Sequence, residues 1–119
     1  MLSLPELVRI YVCLAPTDMR KSFDSLVALV REGLGYDPLS GHLFVFRSRR
    51  GDRIKLLWWD RDGLTLYYRR LEEWTFRFPT SNDPDARSIE VSSQELSLVL
   101  WGIDPASVKR QKRYVAKVG

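Results

Sequence analysis

Two residue types are almost missing from this chain of 119 residues, which has one cysteine, Cys13, and one histidine, His42. A lone thiol closes no internal disulfide, and one thiol with one imidazole cannot build the four-ligand cage of a structural zinc site. The fold therefore has to rest on an apolar core, and the scarcity of cysteine is consistent with a reducing, cytoplasmic setting. Long hydrophobic runs are lacking too. The opening stretch MLSLPELVRIYVCLAP has no basic start, carries Glu6 and Arg9 among its apolar positions and is interrupted by Pro5 and Pro16. It reads as neither a secretory signal nor a membrane span.

What is present suffices for one domain. The composition, 45% hydrophobic and 29% charged, is that of an ordinary globular protein. A chain of this length buries roughly two thirds of its unfolded surface, enough for a core but not for two. The net charge of +4 is unevenly spread: from Asp104 onward the residues Lys109, Arg110, Lys112, Arg113 and Lys117 face Asp104 alone and carry the whole excess. Residues 1–104 are expected to form the domain and 105–119 a basic tail. Within the otherwise balanced body, Arg47, Arg49, Arg50, Arg53 and Lys55 oppose only Asp52, a second concentration of positive charge. Arginine outnumbers lysine 14 to 5, a bias that suits forked contacts to phosphate or carboxylate and also serves protein interfaces.

The pattern predicts an α+β domain: a twisted antiparallel sheet of about five strands, with partial closure into a barrel left open, packed by one main helix and one shorter C-terminal helix. LVRIYVCLA alternates branched and aromatic residues and reads as a strand ended by Pro16. The next stretch starts with Thr17 or Asp18 as a cap and sets Phe23, Leu26, Val27, Val30 and Leu34 on one helical stripe, stopped by Gly33 and Gly35. From His42 to Pro79 three or four strand-like runs alternate with turns at Arg50-Gly51-Asp52 and Asp60-Arg61-Asp62-Gly63. Simple alternation groups Phe44, Phe46, Ile54, Leu56 and Trp58 against Arg47, Arg53, Lys55 and Trp59, giving one core face and one wet face. A loop, a short IEV strand and a helix from Ser93 to Leu100 complete the domain, with Ser92 and Glu95 spaced as a capping box.

The stretches TDMRKSFDSL, DPLSGHLFVFRSRRGDRIKLLWWDRDGLTLYYRRLE, RFP and SQELSLVLWGID, in that order and spacing, resemble the TnpB accessory proteins of the insertion-sequence-66 family. The resemblance spans roughly Val8 to Asp104. It implies a protein encoded beside a separate, larger DDE transposase in a bacterial mobile element, one that assists transposition without performing its chemistry. RNA-guided nucleases that share the name are several times longer and carry a three-carboxylate site, so that reading is rejected. This chain departs from the family in having Trp58-Trp59 where a single tryptophan is usual, and its basic tail lies outside the matching region.

No catalytic residues, metal ligands or cofactor are expected. Asp60 and Asp62 read as turn formers and Glu72-Glu73 as a solvated pair, in preference to a metal-dependent nuclease set. Arg50-Gly51-Asp52 reads as a turn, with Gly51 there for its backbone freedom, and His42 lacks a catalytic partner. Candidate nucleic-acid contacts are Arg47, Arg49, Arg50, Arg53 and Lys55 on the hairpin, Arg20 and Lys21 at the first helix start, and Lys109, Arg110, Lys112 and Arg113 in the tail. The competing reading of the hairpin is a solvated strand face or a protein interface. Trp59, Tyr67 and Trp74 are candidate anchors for a protein partner. The expected partners are DNA, the DDE transposase and other proteins of the same element, and a second copy in a homodimer; no membrane is expected.

Overall fold

The computed structural model of the chain describes residues 8–101. Five strands, β1 (Ile10–Cys13), β2 (Leu43–Arg47), β3 (Arg53–Asp60), β4 (Gly63–Arg70) and β5 (Ser88–Val91), form one sheet in the order β4-β3-β2-β1-β5. Two helical segments accompany it. The first, α1 (Phe23–Ala28), continues as a π-helical segment (Leu29–Leu34), and the second is α2 (Ser93–Trp101). The α+β architecture and the five strands agree with the sequence pattern. The sheet does not close into a barrel, since β4 and β5 remain at its edges.

One pair differs from an all-antiparallel sheet. β1 and β2 run parallel, because the helical connection between them returns the chain to the end from which β1 started. The other three pairings are antiparallel.

Both faces of the sheet are covered, which corrects the expectation of one wet face. Leu26, Val30 and Leu34 from the first helical segment pack with Tyr11, Cys13, Phe44, Phe46 and Leu57. On the other side Leu96 and Val99 of α2, with Phe76, pack with Ile10, Val12, Leu43, Val45, Ile54 and Leu56. The strands at the centre are therefore buried on both faces, and LFVF reads as an unbroken apolar run.

The register also overturns the simple alternation. Phe44 lies opposite Leu57 and Phe46 opposite Lys55, so even-numbered residues of β2 share a face with odd-numbered residues of β3. Four residues, Arg49 to Asp52, link Ser48 to Arg53, and that even number fixes the parity. Phe44 and Phe46 consequently face α1, while Ile54, Leu56 and Trp58 face α2.

The first helix starts later than the sequence implies. Ser22 is the N-cap residue, and its N–H donates to Ser25 Oγ at 3.0 Å. Asp18 instead opens a turn, its carbonyl accepting from the Lys21 N–H at 3.1 Å. Gly35, at φ 77°, ends the segment in the left-handed conformation. The cap of α2 is as expected: Glu95 N–H donates to Ser92 Oγ at 3.0 Å and Ser92 N–H to Glu95 Oε1 at 3.1 Å.

Candidate nucleic-acid interface

The turn between β2 and β3 is held by a buried serine. Ser48 Oγ accepts from the Arg53 N–H at 3.0 Å and donates to Asp52 Oδ1 at 3.1 Å, while the Ser48 N–H donates to the Arg53 carbonyl at 3.0 Å. Gly51, at φ 78°, lets its N–H return to the Ser48 carbonyl at 3.0 Å. The segment after β4 fastens the turn, with Phe76 N–H on the Gly51 carbonyl and Leu71 N–H on the Asp52 carbonyl, both at 2.8 Å. With its backbone so occupied, the turn presents Arg49 and Arg50 outward, both exposed.

Two grooves flank this tip. One, of about 550 Å³, runs between the tip and the 75–86 segment and is lined by Arg47, Arg49, Arg50 and Arg77, with Asp83 as its carboxylate. The other, of about 410 Å³, lies between the tip and the 17–20 turn and is lined by Arg20, Arg49, Arg50 and Arg53 with Asp18 and Asp52. The fold thus brings the helix-start patch and the hairpin patch, 30 residues apart in sequence at Arg20 and Arg50, to the walls of one groove. Cations exceed carboxylates in both.

The arginines differ in how free they are. Arg47 is half-buried, donates from Nη2 to the Leu14 carbonyl at 2.8 Å and lies over the Phe78 ring at 5.9 Å. Arg53 reaches the Tyr68 hydroxyl at 3.4 Å. Arg20 forks onto Asp18, with Nη2 at 2.7 Å from Oδ2. These hydrogen bonds from Arg20 hold the Asp18 carboxyl at about 2, below the usual carboxylate range. Among the described residues Arg49, Arg50 and Arg77 have no carboxylate partner.

Lys55 is placed elsewhere than a surface reading requires. It is buried, with 5% exposure, and its ammonium donates to the Met19 carbonyl at 2.8 Å and the Lys21 carbonyl at 2.6 Å. It also lies 4.6 Å from the centre of the Tyr68 ring. Lys55 is an internal post that holds the 19–21 loop, and its donors are not turned toward a ligand. Lys21 is half-buried beside it. The tail candidates Lys109, Arg110, Lys112 and Arg113 lie outside the described residues.

The three aromatic candidates do not form one patch. Trp59 lies opposite Leu64 on the α1 side of the sheet, whereas Tyr67 lies opposite Leu56 on the α2 side, and both are half-buried. Trp74, 50% exposed at φ 72°, stands in the segment after β4. Arg77 is a groove residue that the charge pattern of the hairpin does not single out. Its signal in the sequence is the alternation in TFRFP, with Phe76 buried, Phe78 half-buried and Arg77 exposed between them. Cys13 is buried, and that burial pushes its thiol above the usual range. Among the described residues no group of three or more His, Cys, Asp or Glu side chains is placed to hold a metal ion, and no helix is long and apolar enough to cross a membrane.

A small mixed sheet covered on both faces, with a local arginine cluster at one hairpin tip, defines a compact α+β module. The chain belongs to the IS66 Orf2-like protein family, whose model matches residues 8–110. Among curated proteins it is similar to the uncharacterized proteins y4jC and y4hO of Sinorhizobium fredii. Each is 39% identical over 104 residues, covering 87% of this chain and 86% and 88% of the respective relatives. No solved structure matches it. Membership in this family associates the chain with an insertion sequence.

Proposed function

We propose that this protein is a non-catalytic accessory factor of insertion-sequence transposition, acting in the bacterial cytoplasm, and that it binds element DNA through the arginine tip to help assemble the complex with a separate DDE transposase. The observation that carries the reading is the exposure of Arg49, Arg50 and Arg77 around two grooves, without carboxylate partners among the described residues. Unpaired guanidiniums on a fixed backbone suit phosphate oxygens, because the fork geometry matches them and binding releases counterions. Ser48, Gly51 and the bonds from Leu71 and Phe76 fix where those guanidiniums start. Lys55 contributes indirectly by holding the loop that carries Arg20.

Arg50→Ala and Arg77→Ala, alone and combined, test this with a labelled duplex carrying the element end. Each single change is expected to weaken binding by roughly threefold to tenfold, and the pair by more, with the circular dichroism spectrum unchanged. Wild-type affinity in the double variant would place the contact elsewhere. An absence of binding in the wild-type protein would favour an adapter that works through the transposase alone.

A further inference from the structure

We infer that β4 is a dimerisation edge, on which a second copy of this chain pairs its own β4 antiparallel about a two-fold axis at Leu66. β4 is eight residues long and runs in unbroken register with β3, from Arg53 opposite Arg70 to Asp60 opposite Gly63. It carries neither proline nor bulge, two of the devices that blunt an edge, and its charged residues, Arg69 and Arg70, stand at one end. Among the described residues no strand pairs with its other side. The Leu71 N–H donates to the Asp52 carbonyl at 2.8 Å, so by antiparallel alternation residues 65, 67 and 69 address β3. Leu64, Leu66, Tyr68 and Arg70 therefore direct their backbone groups to the open edge.

The sequence along that edge is complementary to itself. With Leu66 opposite its own copy, Leu64 meets Tyr68, and Asp62, in the turn that leads into β4, is brought beside Arg70 of the second chain, on both sides of the axis. Apolar residues pair with apolar residues and carboxylates with guanidiniums. Leu64 and Leu66 are half-buried and Tyr68 is 48% exposed, so all three have apolar surface left to cover. Asp62 has no ion-pair partner among the described residues, and Arg70 is held only by an exposed bridge to Glu72 at 3.0 Å. The other edge strand, β5, is four residues long, and its Glu90 is already bridged to Arg9 at 3.7 Å. Isologous pairing of this kind closes at two copies, which suits a factor that remains in solution.

The test is sedimentation equilibrium of the full chain across a wide dilution series, with Asp62→Arg, Arg70→Asp, the double reversal and Leu66→Lys. The wild type is expected to be a dimer. Each single reversal should raise the dimer dissociation constant by about tenfold, because it sets two pairs of like charges opposite each other. The double reversal should restore it, and Leu66→Lys should yield monomer. Asp62 and Arg70 are exposed, so the reversals leave the core untouched. Hydrogen exchange at the Leu64, Leu66 and Tyr68 amides should slow as concentration rises. A monomeric wild type, a dimer indifferent to all four variants, or amide protection independent of concentration would each overturn the inference.

Discussion

Lys55 separates the two roles that a cation in a basic cluster can play. In the sequence it is one of five positive charges around a turn, with the same claim to a phosphate as Arg49 or Arg50. In the fold its register opposite Phe46 turns it toward α1, and its ammonium meets the Met19 and Lys21 carbonyls. Removing it leaves two acceptors unsatisfied in a part-buried setting. Lys55→Met is therefore expected to lower stability by about 2 to 4 kcal/mol, read from urea unfolding, whereas Arg50→Ala should leave the midpoint almost unmoved. Equal stability of Lys55→Met and wild type would show that the two carbonyls find other donors. No spacing rule distinguishes Lys55 from its neighbours, because the distinction depends on a loop more than thirty residues away in sequence.

At the scale of elements, the turns and caps were the most legible features. The Ser92 and Glu95 box, the stop at Gly35 and the turns at Gly51 and Gly63 all rest on local chemistry, and the structure has them where the sequence places them. The start of α1 was less legible, since Thr17, Asp18 and Ser22 are all competent caps and the choice falls to Ser22 once Asp18 is engaged with Arg20. The parallel pairing of β1 with β2 was hidden for a related reason: strand residues record burial, but not the direction from which a neighbour arrives. Gly51 is the residue on which the tip depends. At φ 78° a Cβ would meet Thr75 only at ordinary contact distance, 3.5 Å, so the cost of Gly51→Ala lies in the backbone. A loss of about 1 to 2 kcal/mol is expected from the left-handed conformation, measured by urea or thermal unfolding. An unchanged midpoint would mean that the turn relaxes to another conformation.

For the molecule as a whole, the α+β class and the strand count were legible, and the covering of both faces was not. Burial on two faces comes from α1 packing on one side of the sheet and α2 with Phe76 on the other, while the four-residue link only sets which β2 and β3 residues share a face. The same assembly brings the 17–20 turn and the 75–86 segment to either side of one hairpin tip, so residues far apart in sequence become a single charged surface. On the proposed function, this surface neutralises DNA phosphates. The most direct measurement is the salt dependence of binding to the element-end duplex, for the wild type and for the Arg49→Ala, Arg50→Ala, Arg77→Ala triple variant. A steep fall in affinity with salt is expected for the wild type, and a slope shallower by about 2 to 3 in the variant, near 0.9 for each phosphate no longer neutralised. Identical slopes for the two proteins, or binding indifferent to salt, would contradict it.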